Sequence, residues 1–346
     1  MSPARTQSEA VEVRHPRDTF ALFGHVQAEQ ALLDEYRSGR IAHAWLIGGP
    51  VGIGKATLAY RMARFALAHP DPLTPAVQKA TSLAVPSDGL VARRVAGRAH
   101  PDLLVLEREP DDKGKMRTMI IVEQVRRTVG FFGATAGEGG WRVCIVDPAD
   151  ELQYPQGSNA LLKVLEEPPP RSLFLVVSHA PGRLLPTIRS RCRRLTLRPL
   201  EAADVVKAAA AALGDEVDEP TLRQAAAAAD GSVARAIALS GGPQLALREK
   251  VIDLLDRLPA TDPRALHALG DSLERGNDDL YEIFIETARN WLSAWLDRGG
   301  DPRRLDRIAE AWERLNRAAS DTEIYNLERK PLVFNVFSLL AEAARG

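Results

Sequence analysis

The chain contains 346 residues, of which 45% are hydrophobic and 26% are charged. A chain of this length and composition is expected to be an ordinary globular protein with two or three domains, each with its own core. The formal net charge of −1 argues against a surface covered by nucleic acid, so any such contact should be local or shared with partners.

The totals also bear on metals, redox compartment and targeting. Two cysteines and seven scattered histidines form neither a zinc-ligand spacing nor a disulfide framework. No apolar run reaches about eighteen residues, and the N-terminus is too polar for a signal peptide. We therefore predict a cytoplasmic protein without a bound metal, zinc included, that begins with a disordered tail over residues 1–17.

The first predicted elements lead into a glycine-rich turn. Apolar residues at helical spacing predict a helix over Val26–Ser38, and a short apolar run predicts a strand over Ala44–Ile47. The turn Gly48–Thr57, called the P-loop below, matches the pattern G-x-x-x-x-G-K-[S/T] except at its last position. A helix is expected to continue from it to about His69. Such a unit directs backbone N–H groups, a helix N-terminus and a lysine at one point, which suits a phosphate.

The P-loop supplies the candidate nucleotide-binding residues. Its glycines permit close backbone approach to a ligand, and its lysine can reach the outer phosphates. Ala56 occupies the position whose hydroxyl normally holds Mg²⁺, and Thr57 points about 100° further round the helix. The loop is therefore expected to hold phosphate but to be badly equipped for hydrolysis; an empty, vestigial turn is the alternative. The residues expected at this site are Gly49, Gly52, Gly54, Lys55 and Thr57.

The next stretch continues the α/β pattern after an interruption. Residues 71–100 are poorly periodic and contain prolines and a basic cluster, so we predict an insertion or a short mixed segment on the surface. Beyond it, Leu103–Leu106 predicts a strand and Ile120–Phe132 an amphipathic helix. A further strand is expected over Arg142–Asp147. Strands alternating with helices indicate an α/β domain.

Acidic residues follow that strand. Asp147 lies at its end, where P-loop folds place the carboxylate that orients Mg²⁺ or its water. The next position, where a second carboxylate would activate the attacking water, is Pro148. Asp150 and Glu151 come two or three residues late. We interpret them as solvated charges or a helix cap, with a catalytic role as the lesser alternative.

An arginine-rich stretch comes after one more helix and strand. The helix begins at Gln156 and is halted by Pro168–Pro170, and the strand covers Leu173–Val177, with Ser178 at the edge where open α/β sheets bind ligands. Five arginines then fall within residues 183–194. They form a solvated basic edge, or they include an arginine that stabilises a phosphate held by a neighbouring subunit.

The remaining sequence predicts helices only. Trp291, Trp295 and Trp312 are interpreted as bulk for the core of the last bundle rather than as ligand platforms. The predicted helices cover Glu201–Leu213, Thr221–Ala229, Ser232–Leu239, Leu247–Leu258, Pro263–Gly270, Asp278–Leu296, Pro302–Ala319 and Asp321–Ala344.

Several of these segments together resemble the AAA+ clamp-loader family of bacterial DNA polymerase III subunits. The resemblance covers nearly all of the chain beyond residue 17, and its most specific part is Ser-Arg-Cys placed after the Asn-Ala-Leu-Leu-Lys helix. The P-loop alone is far less specific. The segments that carry the resemblance are Phe23–His25, Ala42–Pro50, His100–Asp102, Asn159–Pro169 and Ser190–Cys192.

The resemblance implies a domain order and a set of partners. It implies a P-loop α/β domain over residues 18–199, a small helical lid over 200–242 and a helical collar for oligomerisation over 243–346. The chain would be one arm of a ring that loads the sliding clamp onto primed DNA. Its partners would be the tau/gamma ATPase subunits and the delta subunit, with the clamp and DNA met through the complex. In that family the arginine of Ser-Arg-Cys, here Arg191, is a finger that acts in trans.

The departures from the family pattern are as informative as the matches. Ala56 and Pro148 replace the Mg²⁺ hydroxyl and the catalytic glutamate of hydrolysing relatives, and Ala234 replaces their lid arginine, with Arg235 one residue later. Many relatives also carry four cysteines after the P-loop helix, and residues 71–100 contain none. A zinc module is therefore expected to be absent or replaced.

These losses beside an intact finger predict a structural subunit that does not hydrolyse ATP itself but supplies Arg191 to a neighbouring ATPase. Whether ATP or ADP is held is left open. An autonomous AAA+ ATPase of DNA metabolism is the first alternative. A DNA-binding regulator is another, and its basic residues would be Arg183, Arg189, Arg193 and Arg194.

Overall fold

The structure is a computed structural model, which describes residues 14–134, 137, 140–214, 217–241, 243–274, 276–297, 301–325 and 327–344. The chain divides into two compact units, residues 1–237 and 238–346. The first is an α/β unit and the second is helical, so the predicted fold class is confirmed. Within the described residues, no helix combines the length and apolar character needed to cross a membrane.

A parallel sheet organises the first unit. Among the described residues it has five strands in the order β2-β3-β4-β1-β5. Parallel pairing places the carboxyl ends of all strands at one edge, where the loops that carry the candidate residues also lie. The strands are β1 (Ala44–Gly48), β2 (Leu103–Leu106), β3 (Arg142–Val146), β4 (Ser172–Ser178) and β5 (Arg193–Thr196).

Helices cover both faces of the sheet and create two apolar cores. One core packs α1 and α2 against the sheet, and the other packs α5, α6 and α7 against its opposite face. Central strands β1 and β4 are buried along their whole length, as expected for a sheet covered on both sides. The helices flanking the sheet are α1 (Val26–Arg37), α2 (Lys55–Ala68), α3 (Pro75–Lys79), α4 (Leu90–Ala96), α5 (Val122–Gly133), α6 (Gln156–Glu166) and α7 (Pro186–Arg191).

Strand β5 was not predicted from the sequence. Its arginines point to solvent at the edge of the sheet, so the apolar alternation that indicates a strand is weak there. Arg193 forms an ion pair with Glu35 at 2.5 Å and its guanidinium lies 5.1 Å from the ring centre of Trp45. Part of the basic run therefore protects an edge strand, which charged side chains commonly do.

Residues 71–100 form a short mixed segment, one of the two predicted alternatives, but the segment does not lie wholly on the surface. The segment contains α3 and α4, and its side chains Val77, Leu83 and Val95 join the core formed around α2. The backbone N–H of Leu83 donates to the Glu29 carboxylate at 3.0 Å, which ties the segment to α1. The buried apolar residues of this segment stand singly among prolines and polar residues. Their spacing is too irregular to predict a helix from the sequence.

The predicted tail is also too long. Its residues 1–13 lie outside the described residues, whereas residues 14–17 are ordered and include the start of a short 3₁₀ helix, Pro16–Asp18. The buried guanidinium of Arg64 donates to the carbonyl oxygens of Arg17 and Thr19 at 2.8 and 2.7 Å. Arg64 of α2 thus holds the residues just before Phe20 in place. The periodicity of the sequence cannot predict this contact.

The chain after the sheet forms a small helical layer with its own apolar cluster. Val205, Leu213, Leu222 and Ala236 are among the buried residues of this cluster. Gly231 has φ of +77° and no room for a Cβ atom beside the backbone of Leu200, so this turn requires glycine. The helices of the layer are α8 (Ala202–Leu213), α9 (Glu219–Ala228) and α10 (Val233–Leu239).

The second unit is a bundle whose last helices differ from the prediction. The predicted break near Ser320 lies instead after Ile324, because the helix continues past buried Thr322. The next helix begins only at Arg329, since Pro331 is tolerated in a first helical turn but not in a helix interior. The helices are α11 (Pro243–Asp256), α12 (Pro263–Ser272), α13 (Asp278–Asp297), α14 (Pro302–Ile324) and α15 (Arg329–Ala344).

The core of this bundle is aliphatic with two stacked phenylalanines, Phe284 and Phe337, whose ring centres are 6.4 Å apart. The three tryptophans predicted to fill it are only half-buried. Trp291 and Trp295 instead pack on each other at 4.8 Å and line a cavity of about 330 Å³.

The attachment of residues 71–100 can be tested by a matched pair of truncations. Leu83 is fully buried, whereas Leu73 in the same segment is 69% exposed. We expect Leu83→Ala to lower the free energy of unfolding by about 2–4 kcal/mol and Leu73→Ala to change it by less than about 0.5 kcal/mol. Urea denaturation of the full chain measures both, and equal effects would contradict the packing described.

Candidate phosphate-binding site

The P-loop begins with a glycine whose conformation and surroundings exclude other residues. Gly49 has φ of +149°, and a Cβ atom there would lie 2.5 Å from the carbonyl oxygen of Leu197. Its N–H donates to the carbonyl of Ser178 at 3.3 Å, which joins the start of the loop to the end of β4. Gly49 therefore shapes the loop from behind.

The middle of the loop is held by a helix of the lid layer. The carbonyl oxygen of Gly52 accepts hydrogen bonds from the N–H groups of Val233 and Ala234, at 2.9 and 3.2 Å. Gly52 has φ of +75°, and a Cβ atom there would lie 2.7 Å from the Cβ of Ala234. Thus the start of α10 packs directly on the P-loop, with Oγ of Ser232 and the methyl group of Ala234 at the place of contact.

A histidine holds the loop from the other side. Nε2 of His25, at the start of α1, lies 2.7 Å from the carbonyl oxygen of Ile53, to which it donates in the Nε2–H tautomer. The preceding residue, Gly24, has φ of +80° and closely approaches Leu200. The segment Phe23–His25 is therefore one support of the P-loop.

A cavity of about 260 Å³ opens beside the loop. One end contains Gly54, Lys55 and Asp147, and Arg14 from the ordered N-terminal stretch also lines it. The rest of the lining is largely apolar. This combination suits a ligand with a charged phosphate end and an apolar base. The residues of the apolar end include Leu22, Phe23, Ala208, Ala211, Val233 and Ile237.

Lys55 lies at the polar end of this cavity and is only 3% exposed. Its ammonium group donates to the carbonyl of Pro50 in the loop. Burial lowers the pKa of Lys55 to about 8, while the nearby carboxylates of Asp147 and Asp150 oppose that shift. A bound phosphate would supply the negative charge that this buried cation lacks.

Asp147 faces the same cavity from the end of β3. Burial, followed by the nearby carboxylate of Glu107, raises the pKa of Asp147 to about 6. Ala56 contributes a methyl group to the cavity wall where a Mg²⁺ ligand would need a hydroxyl, and Thr57 lines the wall one residue later. Within the described ranges, no group of three or more His, Cys, Asp or Glu side chains could hold a metal ion. The cavity wall at position 56 therefore lacks the hydroxyl ligand that Mg²⁺ takes from this position in the full motif.

Asp150 is exposed, in keeping with the interpretation as a solvated charge, but both Asp150 and Glu151 also make specific contacts that were not predicted. The Asp150 carboxylate accepts three hydrogen bonds, from the Ser178 hydroxyl at 3.0 Å and from the N–H groups of His179 and Ala180 at 2.7 and 2.9 Å. Glu151 forms an ion pair with Arg108 at 2.8 Å. Asp150 therefore anchors the chain that leaves β4, a contact between residues far apart in sequence.

Arg191 lies elsewhere, at the last position of α7. It donates to the carbonyl of Thr187 at 3.0 Å and forms an ion pair with Glu166 at 2.7 Å. Its side chain is 34% exposed. The structure thus gathers the predicted residues Gly52, Gly54, Lys55, Thr57 and Asp147 around one cavity, whereas Gly49 lies behind the loop and Arg191 is not part of the cavity wall.

Three residues have contacts at or beside the site that were not predicted. His25 was predicted only as part of a segment that carries the family resemblance, and Arg14 was placed in the disordered tail. Asp150 was predicted without its partners, which follow a different strand. A motif scan finds the P-loop because its residues are contiguous, whereas these supports come from other parts of the chain.

The fold and site define a P-loop α/β unit of nucleotide-binding type with a helical layer packed on its phosphate loop. Comparison with known proteins gives the family. The chain belongs to the family described as DNA polymerase III, delta subunit, whose sequence profile matches residues 24–201, about half of the chain.

Individual relatives agree with that family. The chain is 36% identical over 217 residues to DNA polymerase III subunit delta' of Pseudomonas aeruginosa, covering 63% of this chain and 61% of that protein. It is 28% identical over 228 residues to subunit delta' of Bacillus subtilis, covering 66% of this chain and 63% of that protein. Subunit tau of Salmonella typhimurium is 28% identical over 228 residues, or 64% of this chain and 32% of that protein.

The aligned part of this chain spans less than two thirds of each of these relatives. Among solved structures, a DNA polymerase III gamma subunit-related protein from Thermotoga maritima is similar at a TM-score of 0.43 and 15% identity. That likeness covers 90% of this chain and 99% of the other. At that score it adds nothing to the fold already described.

The buried charge of Lys55 predicts a pH-dependent stability difference. The folded-state pKa is about 8, below the ordinary 10.5, so the unfolded chain binds more protons between these values and stability rises with pH there. Below pH 8 the buried charge destabilises the ligand-free protein. We expect Lys55→Met to be more stable than the parent chain by about 1 kcal/mol at pH 7, with the difference shrinking toward pH 10.

Thermal unfolding in the absence of nucleotide measures this difference, with exposed Lys163→Met as the control. A Lys55→Met variant that is less stable than the parent chain at pH 7 would contradict the assignment of Lys55 as a desolvated cation.

Proposed function

We propose that this chain is a clamp-loader subunit of the delta prime type, which helps to load the sliding clamp onto primed DNA in the cytoplasm. Its partners in this proposal are tau/gamma ATPase subunits and a delta subunit, through which it meets the clamp and DNA. Support comes from its family and from relatives named as DNA polymerase III subunits delta' and tau. We further propose that it does not hydrolyse ATP itself.

One observation carries the second statement: the phosphate cradle is complete while the hydrolytic groups are missing. Ala56 offers no hydroxyl for Mg²⁺, and Pro148 stands where a water-activating carboxylate is needed. Ala234 rests on Gly52 with only a methyl group. Arg235, the next residue, forms an ion pair with Asp230 at 2.6 Å. The lid layer therefore brings no cation to the P-loop through these residues.

Arg191 is the group that we propose to act in trans. An arginine that serves a neighbour's nucleotide has to lie at the surface and away from its own P-loop, and Arg191 meets both conditions. Its present partner, Glu166, is 48% exposed, so the ion pair is screened by water and readily exchanged for a phosphate. The guanidinium fork suits phosphate oxygens geometrically.

We propose that the cavity holds ATP or ADP as an unreacted ligand. Lys55 and the N–H groups of the first turn of α2 provide the anion site, and the apolar end receives the base. A nucleotide placed there would contact both the P-loop and α10, so it would stabilise the first unit.

An autonomous AAA+ ATPase is the competing function. The intact Gly-Lys pair and the formed cavity favour it. The residues at positions 56, 148 and 234 disfavour it, because each lacks the group that hydrolysis needs. The two functions differ in whether the isolated chain turns over ATP.

Nucleotide binding should be independent of Mg²⁺, because the metal-binding hydroxyl is missing. For each nucleotide, ATP or ADP, we expect the Kd measured with Mg²⁺ and the Kd measured with EDTA to agree within about 2-fold. Lys55→Ala should weaken binding by about 10- to 100-fold, the loss of one charge-assisted contact. Titration with a fluorescent nucleotide checks both, with Lys163→Ala as the control. The absence of binding would refute a held nucleotide, and a requirement for Mg²⁺ would refute the prediction that the missing hydroxyl makes binding independent of the metal.

Removal of Arg191 should slow ATP turnover at one neighbouring site of a reconstituted loader. We expect Arg191→Ala to reduce clamp- and DNA-stimulated turnover at that site by up to about 10³-fold with normal assembly. Arg191→Lys should be intermediate, since it keeps the charge but loses the fork. Exposed Arg194→Ala is the matched control. Unchanged turnover in the Arg191→Ala complex would defeat the proposal.

A further inference from the structure

We infer that Asp150 is a positioning residue for Arg191: its carboxylate fixes the origin of the segment that carries the arginine. This inference rests on the proposed function of Arg191 in trans. The segment in question, residues 178–191, is called the finger segment below. It runs from the end of β4 through a short 3₁₀ helix, Pro181–Arg183, to the end of α7.

The hold on the first end of the finger segment is specific. Three donors on consecutive residues, the hydroxyl of Ser178 and the N–H groups of His179 and Ala180, converge on one carboxylate. Both carboxylate oxygens are used, because Oδ1 accepts from Ser178 and Ala180 and Oδ2 accepts from His179. Charge-assisted hydrogen bonds of this kind are stronger than neutral ones.

The same point is joined to the P-loop. Ser178 is fully buried and pairs with Gly48 in the register of β4 and β1, and its carbonyl accepts the N–H of Gly49. The carboxylate of Asp150 also attracts the charged ammonium group of Lys55, and this attraction helps to oppose the lowering of the Lys55 pKa by burial. Asp150 thus lies where the phosphate site and the finger segment meet.

The finger segment is short and stiff, so a fixed origin determines where its end lies. Pro181 and Pro186 restrict its backbone, and Leu184 and Ile188 anchor it in the core beneath α6. The N–H of Arg183 donates to the carbonyl of Ala180 at 2.8 Å, which continues directly from the residue that Asp150 holds.

The far end of the finger segment returns to the same part of the chain. Arg191 pairs with Glu166 at the end of α6, and α6 begins six residues after Asp150. In the free chain, the stretch from Asp150 to Glu166 therefore contacts the finger segment at both ends, and the contact with Glu166 is the one that Arg191 would exchange for a phosphate. Loss of the first hold should displace Arg191, and a displacement of about 1 Å can reduce a rate by about 10²-fold.

The test uses Asp150→Asn in the reconstituted complex. Asparagine keeps the size but loses the charge and turns one acceptor into a donor that faces an N–H group. We expect kcat at the neighbouring ATPase site to fall about 10- to 100-fold with an unchanged KM for ATP, because the finger acts on the transition state. Glu151→Gln is the matched control, since Glu151 pairs with Arg108 and not with the finger segment.

A double-mutant cycle separates positioning from general structural damage. If Asp150 acts through Arg191, then Asp150→Asn should not lower kcat any further in a complex that already carries Arg191→Ala. The melting temperature of the Asp150→Asn chain should stay within about 2 °C of that of the parent chain. If Asp150→Asn is silent, or slows the Arg191→Ala complex further, the inference about Asp150 is wrong while the finger stands. If Arg191→Ala itself has no effect, the proposed function fails first.

Discussion

The two hydrogen bonds from α10 to the carbonyl of Gly52 are the contact on which the rest of the site depends. A Cβ atom at position 52 would collide with Oγ of Ser232 and with Cβ of Ala234, so this approach requires glycine at position 52. Ala234 carries no charge, and the next residue, Arg235, pairs with Asp230. The phosphate loop is thus supported and shaped by α10.

The charges around the P-loop depend on one another, with buried Lys55 facing the half-buried Asp147 and the exposed Asp150. Lys55 has lost most of its water and depends on Asp147, Asp150 and loop carbonyls for its stability as a cation. Asp150 in turn is shared between that cation and the chain leaving β4. The charge at the phosphate site and the geometry of the exposed arginine therefore have one residue in common. This connects the proposed phosphate site to the surface proposed to act on a neighbour.

The sequence predicted those parts whose residues are contiguous. The P-loop, the strands before it and after it, and the helices of the lid layer follow from local period and turn chemistry, because their signals lie within one window. Strand β5 was missed because arginines hide the alternation of an edge strand. The end of α14 was misplaced: the predicted helix stopped at Ala319, whereas α14 continues to Ile324 and α15 begins at Arg329.

The supports of the site were predictable only in part, because they join distant positions. Leu83 reaches Glu29 across 54 residues, Arg64 holds the N-terminal stretch, and Asp150 finds its donors after another strand. Pairings of this kind depend on how the sheet is ordered, which no local pattern encodes. The missing hydroxyl at position 56, by contrast, could be predicted from the sequence alone. Ala56 occupies the motif position whose hydroxyl normally holds Mg²⁺, so the loss of that ligand follows from one residue.

The most direct test of the central claim is ATP turnover by the purified chain, measured alone and after mixing with a competent ATPase partner. Lys55→Ala serves as the background control, since it removes the cradle's own cation. The account predicts that the isolated chain and its Lys55→Ala variant show the same negligible rate, and that the parent chain accelerates the partner through Arg191. Brisk Mg²⁺-dependent turnover by the isolated chain that Lys55→Ala abolishes would contradict it.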